Sequence, residues 1–179
     1  MKYWTSSFLA ACLFCALPAR ADSAMETAGT GVAIALPLAA GGITLLKRDW
    51  TGSAQLFVST ALTVGTVYGL KQIVREQRPD HSDFKSFPSD TSALAFAPAQ
   101  FLWQRYGWEY GLPAYAAATF VGWSRVDAKQ HHWWDVAASA AISLGYNELI
   151  TTRFQEKYGF DSEVSATPGG VYASLDYRW

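Results

Sequence analysis

Residues Ser124–Asp135 read SRVDAKQHHWWD, and two shorter stretches stand upstream: Lys71–Pro79, KQIVREQRP, and Pro88–Thr91, PSDT. Together they set out Lys71, Arg78, Ser89, Arg125, His131 and Asp135. Three cations, a hydroxyl, a histidine and a carboxylate are the groups that oxyanion chemistry uses. His131 and Asp135 are four apart, which on a helix puts them on one face, one turn apart. A carboxylate so placed can accept a hydrogen bond from one ring nitrogen, fixing the tautomer and leaving the other nitrogen free to attack.

Each motif borders an apolar run, and that arrangement decides the fold. No charge occurs from Thr27 to Leu46 or from Trp50 to Leu70, and Lys47, Arg48 and Asp49 make a polar turn between them. Each run is close to the ~20 residues that cross a bilayer as a helix. Three shorter runs of helical period follow, Thr91–Gln104, Tyr110–Ser124 and Val136–Asn147. Motif one follows the second run, motif two opens the third, and motif three joins the fourth to the fifth. In an up-and-down bundle all three motifs then lie at one end. The expectation is an all-α, up-and-down helical bundle of about five helices.

At this point the sequence resembles a known family. KxxxxxxRP, PSGH and SRxxxxxHxxxD are the signature of the type-2 phosphatidic acid phosphatase superfamily, which also contains the vanadium haloperoxidases. The first and third motifs match without a gap; the second reads PSDT, with Asp90 for glycine and Thr91 for histidine. The resemblance covers roughly Trp50–Leu149. It implies a phosphatase with His131 as nucleophile, through a phosphohistidine, supported by Asp135 and Arg125. It makes Lys71, Arg78, Ser89 and Arg125 the phosphate ligands and Arg75 not a ligand. No cofactor and no metal are implied, since three cations carry the electrostatic work.

The residues have plainer readings too. Lys71, Arg75 and Arg78 fall three or four apart, so a basic stripe on one helical face is an alternative. Ser89, between Pro88 and an alanine-rich run, is also an ordinary N-cap. His132, three before Asp135, is the rival of His131, and family spacing selects His131. Trp133 and Trp134 are read as interface or packing residues.

Thr91 is the main departure. In the family that histidine protonates the leaving oxygen, and a hydroxyl is too weak an acid for the task. Losing a general acid costs roughly 10²–10⁴ in rate. Three readings follow: the chain is weak or dead as a catalyst, Asp90 or His81 substitutes as the acid, or the leaving group needs little protonation, as in a lipid diphosphate.

The chain has 179 residues, 14 basic against 15 acidic, and a mean hydropathy of +0.03. The length suits one domain. The balance argues against nucleic acid as a partner, and the hydropathy is low for a polytopic membrane protein. Lys2, the apolar run Phe8–Leu17, Pro18 and Ala19-Arg20-Ala21 read as a secretory signal peptide over 1–21. The only cysteines, Cys12 and Cys15, lie inside it, so disulfide and thiol chemistry are not expected. Residues 22–161 are assigned to the phosphatase-like bundle and 162–179 to a tail. In the tail, Val164–Ala166, Thr167–Gly170 and Val171–Trp179 read as strand, turn and strand.

The expected function is a periplasm-facing phosphatase acting on a lipid phosphate or diphosphate, in the bacterial inner membrane or associated with it. The alternatives are a non-catalytic phosphate- or phospholipid-binding member of the family, or a vanadate-dependent haloperoxidase.

Overall fold

The computed structural model describes residues 21–154, 159–167 and 170–178, with side chains from Ala24 to Phe154. The expected signal peptide, its two cysteines and Trp179 lie outside the described residues; Ala21 alone of the signal opens the first helix. The architecture is the expected all-α bundle: α1 (Ala21–Leu46), α2 (Trp50–Ile73), α3 (Asp90–Tyr106), α4 (Trp108–Asp127) and α5 (Trp133–Ile150). A hairpin follows, β1 (Gly159–Thr167) antiparallel to β2 (Gly170–Arg178), with Thr167 opposite Gly170. Its first strand begins before the boundary expected at 162, because nine paired residues on each arm carry the register back to Gly159 opposite Arg178.

Local chemistry sets the helix ends. Asp49 caps α2 by accepting the Gly52 N–H at 2.8 Å, and Ser89 caps α3 by accepting the Ser92 N–H at 3.3 Å. Helix α2 stops at Ile73, with Val74 extended at φ −88°, ψ 107°. Arg75 and Arg78 therefore lie beyond the helix, and the alternative of a basic helical stripe fails. A single residue, Gly107, joins α3 to α4 at φ +93°, a left-handed conformation that glycine adopts without a Cβ penalty.

Helix α3 is the axle. It touches all four other helices, and Ala93, Ala95, Ala97, Ala99 and Phe101 are fully buried along it. A helix apolar on every side belongs at the centre of a bundle. Small side chains let the neighbouring backbones approach closely.

The buried face of α5 is polar rather than apolar. Asp135, Ser139, Ser143, Asn147 and Thr151 recur every four residues and are all buried. They form a ladder: Ser139 Oγ donates to Ser89 O (2.7 Å), Ser143 Oγ to Ser139 O (2.8 Å), Asn147 Nδ2 to Ala97 O (3.2 Å) and Thr151 Oγ1 to Asn147 Oδ1 (2.8 Å). Two of these bonds tie α5 to α3. Meanwhile large apolar side chains point outward, among them Leu38, Phe57, Leu62, Leu112, Leu144 and Leu149. A buried polar ladder beside the apolar core, with large apolar side chains outside, departs from the usual arrangement of a water-soluble bundle. Among the described residues one helix, over Ala24–Leu46, is long and apolar enough to cross a membrane by length and composition. The Trp50–Leu70 run, expected to match it, does not, because Gly52, Ser59 and Thr63 on its buried face dilute it.

The two ends of the bundle differ. At the end holding the Lys47–Asp49 turn, Arg105 grips Asp49 with two nitrogens, Nη2 to Oδ1 at 2.6 Å and Nε to Oδ2 at 2.7 Å. Tyr106 donates to the same carboxylate at 2.7 Å, and Arg105 Nη1 reaches Thr152 O at 2.6 Å. This network joins the α1–α2 turn, the end of α3 and the chain after α5. Burial pushes the Asp49 carboxyl up, but bonds from Arg105, Gly52 and Tyr106 outweigh it and hold it below its ordinary value.

Breaking a buried ion pair by removing one partner costs about 3–5 kcal/mol. Arg105→Ala is expected to lose that much stability in denaturant unfolding of the detergent-solubilised protein, and Arg105→Lys less. Because the folded Asp49 carboxyl titrates below the unfolded one, its contribution is present above the unfolded pKa of about 3.9. It is lost as pH falls through the lower folded value, so the wild-type advantage over Arg105→Ala shrinks in acid.

Candidate active site

The other end of the bundle gathers all three motifs, as the topology requires. His131 precedes α5, His132 is the α5 N-cap, and Asp135 lies in its first turn. His131 and Asp135 are thus not two turns of one helix, as the four-residue spacing suggested. They meet because the capping turn folds His131 back: its Nδ1 stands 3.5 Å from Asp135 Oδ2. Both are buried, at 2% and 0% exposure.

The hydrogen bond that fixes the His131 ring comes from elsewhere. Nδ1 lies 2.7 Å from the carbonyl oxygen of Ser86, which can only accept, so Nδ1 carries the proton and Nε2 the lone pair. Ser86 Oγ also donates to Asp135 Oδ2 at 2.5 Å, and the His132 N–H donates to the same oxygen at 2.8 Å. Asp135 therefore orients Ser86 and the capping turn directly and faces His131 as a charge. Burial pushes its carboxyl up, but contacts with His131, Ser86 and the His132 N–H outweigh that and lower it to about 2. Ser86 was missed in the sequence because it precedes PSDT and matches no part of a motif; its place two residues before Pro88 was the only signal.

His132 is committed differently. Its ring stacks on Trp134 with centroids 4.3 Å apart and planes 9° apart, and Trp134 Nε1 donates to Glu76 Oε1 at 2.7 Å. Glu76, His132 and Asp135 bring one potential ligand atom each within 4.8 Å of one another. Asp135 Oδ2 and Glu76 Oε1 already accept hydrogen bonds.

Each of the three expected phosphate-binding cations has a carboxylate partner. Lys71 Nζ lies 3.1 Å from Asp90 Oδ1 and also donates to Lys85 O at 3.2 Å. Arg78 Nε donates to Asp83 Oδ1 at 2.7 Å and its Nη1 to Gln130 O at 3.3 Å, beside His131. Arg125 Nη1 stands 3.8 Å from Glu26 Oε1, and Arg125 Nη2 donates to the Glu26 carbonyl. Helix α1 thus holds Arg125, and it can do so only because Gly29 faces α4: an added Cβ would lie 2.0 Å from Ser124 Oγ. Glu26 and Gly29 carried no sequence signal.

Ser89 is present but occupied. Its N–H donates to Asp135 O at 3.3 Å and its hydroxyl to Ser92 Oγ at 2.9 Å. It caps α3 and carries the loop against α5, in place of offering that N–H to a phosphate. Arg75 is exposed.

The two expected substitute acids are placed differently. Asp90 Oδ1 is 3.9 Å from His131 Nε2. Burial pushes its carboxyl up, yet the Lys71 charge and hydrogen bond outweigh that and hold it below the ordinary range, so it has no proton to give near neutrality. His81 is exposed at φ +60° and is joined to His131 by no hydrogen bond or ion pair among the described residues. Thr91 opens α3 beside Asp90.

Comparison with known proteins places this arrangement. The family model described as the PAP2 superfamily matches residues 52–158. A "Lipid A 4'-phosphatase" of Helicobacter pylori is 34% identical over 133 residues, covering 68% of this chain and 67% of the relative. A "Lipid A 1-phosphatase" of Porphyromonas gingivalis is 30% identical over 144 residues, which is 72% of this chain but 31% of that longer protein. The crystal structure of Aquifex aeolicus LpxE shares the fold, with a TM-score of 0.62 at 19% identity, covering 72% of this chain and 84% of that one. The chain belongs to the PAP2 superfamily, and within it to the hydrolases that act as phosphatases.

Proposed function

We propose that this phosphatase removes phosphate from a membrane lipid through a covalent phosphohistidine at His131. The observation that carries the reading is the ring geometry. With its proton held on Nδ1 by Ser86 O, His131 has its Nε2 lone pair free, 3.9 Å from Asp90 Oδ1, the carboxylate oxygen that Lys71 Nζ holds at 3.1 Å. In the first step Nε2 forms a bond to phosphorus while the bond to the leaving oxygen breaks. In the second, water attacks phosphorus, the N–P bond breaks, and its electron pair returns to Nε2 with release of phosphate. Lys71, Arg78 and Arg125 offset the phosphoryl charge, and Asp135, 3.5 Å from Nδ1, stabilises the ring as it becomes positive.

Two observations support a lipid substrate. The bundle exposes apolar side chains around a polar interior, as a protein in contact with acyl chains would. Both curated relatives are named for lipid A, which makes lipid A the first substrate to assay, beside lipid diphosphates. The site lies at the end opposite the basic Lys47–Arg48 turn. The positive-inside tendency then puts that turn in the cytoplasm and the site in the periplasm, the side an exported N-terminus implies.

The absence of an acid at Thr91 favours substrates whose leaving group departs unprotonated. It also supports a second reading, a phosphate-binding member of the family without turnover. Phosphate release from lipid A and from a lipid diphosphate, with and without vanadate, separates the two: a binding protein takes up vanadate and releases nothing.

His131→Ala is expected to abolish release, whereas His132→Ala retains most of it; the reverse result would move the nucleophile to His132. Asp135→Asn is expected to lower kcat by roughly 10²–10⁴ with little change in KM, since an amide stabilises no imidazolium. Ser86→Ala keeps the carbonyl that orients His131 and is expected to cost about ten-fold or less. Equal losses in these two variants would assign the decisive bond to the Ser86 hydroxyl.

For Thr91, wild-type rates are expected to fall steeply as leaving-group pKa rises. Thr91→His should speed the poor leaving groups most. Equal rates across leaving groups, once chemistry limits the rate, would mean that another acid serves the wild type.

A further inference from the structure

We infer that Asp90 is a specificity-determining residue that stands where a phosphoryl oxygen would bind and selects against doubly charged phosphate. This rests on the reading of His131 and Lys71 as the phosphate site and goes beyond it. Asp90 Oδ1 lies 3.1 Å from Lys71 Nζ and 3.9 Å from His131 Nε2. A phosphorus atom approached by Nε2 must bring its oxygens into this same gap, within reach of the same ammonium. The carboxylate sits in the first turn of α3, where unpaired backbone N–H groups and the helix dipole favour an anion. In charge and placement it is a phosphate substitute supplied by the chain.

Two further features separate Asp90 from an ordinary surface acid. Its side chain is 54% exposed while its partner Lys71 is 6% exposed, so the carboxylate is the movable member of the pair. The other two cations are also paired, Arg78 with Asp83 and Arg125 with Glu26. The resting site therefore holds no unbalanced cation among these three. An incoming phosphate dianion must compete with Asp90 for Lys71 and, once bound, lies beside the displaced negative charge. A singly charged phosphoryl group meets half that repulsion. With glycine at this position, as the family signature has it, neither effect would exist.

The test is titration of the detergent-solubilised full chain with inorganic phosphate by calorimetry, at a pH where phosphate is mostly dianionic. Dimethyl phosphate serves as the singly charged comparison. Asp90→Asn keeps the shape and the helix start but vacates the charge. It is expected to tighten phosphate binding on the order of ten-fold, the scale of one charge-assisted hydrogen bond. The gain for dimethyl phosphate should be smaller. Glu109→Gln changes the net charge equally from an exposed position in the first turn of α4, at the end of the bundle away from the site, so phosphate affinity should barely move. Four outcomes overturn the inference. Unchanged or weaker phosphate binding in Asp90→Asn would make Asp90 an organiser of Lys71. Equal tightening in Glu109→Gln would reduce the effect to bulk charge. Equal gains for both anions would remove the selection by charge. Absence of phosphate binding in wild type and variant alike would sink the phosphate-site reading and this inference with it.

Discussion

One carboxylate oxygen, Asp135 Oδ2, ties the functional end of the bundle together. It accepts the Ser86 hydroxyl and the His132 N–H, and faces His131 Nδ1 at 3.5 Å. It thereby joins the loop ahead of α3, the cap of α5 and the His131 ring. A carboxylate with no solvent exposure is costly unless hydrogen-bonded, and here the bonds more than offset burial. Its other oxygen, Oδ1, is buried without a partner among the described residues. The arrangement is therefore sensitive: removing either donor would leave a buried charge further undersatisfied.

From Asp135 the same logic runs the length of α5. Ser139, Ser143, Asn147 and Thr151 satisfy backbone carbonyls of α5 and α3 and one another, so the helix is registered by hydrogen bonds where a soluble bundle would use leucines. Directional bonds specify one register, which apolar contact alone does loosely. At the far end the Asp49–Arg105–Tyr106 network closes the other side. The axle α3 is thus pinned at both ends, by Ser89 near the site and by Arg105 away from it. That rigidity suits a reaction in which the protein mainly positions charge.

The site is electrostatically quieter than its list of cations suggests. Each of Lys71, Arg78 and Arg125 has a carboxylate at hand, and the three carboxylates come from three segments: the start of α3, the loop after α2 and the first turns of α1. Such pairing keeps buried cations solvated by the protein when no anion is bound. An anion that binds these cations would have to exchange with their carboxylate partners.

The sequence by itself determined the helices and the end at which the three motifs gather. Uncharged runs bounded by polar turns specify five helices because backbone hydrogen bonding and apolar burial act locally. Alternation of direction then forces Lys71, Ser89, Arg125 and His131 to one end. What the sequence left open depends on contacts between segments far apart in the chain. The four-residue spacing of His131 and Asp135 suggested one helical face, but α5 starts at Trp133, and the partner that orients the ring is the Ser86 carbonyl, a backbone group with no sequence signature. The spacing of Lys71, Arg75 and Arg78 suggested a stripe, but the backbone turns extended at Val74. A near-zero mean hydropathy argued against a polytopic membrane protein, but an average does not distinguish serines turned inward from leucines turned outward. Only the tertiary structure decided that Asp90 faces Lys71 and His131, because a carboxylate acts as acid or as counter-ion according to the charge packed beside it.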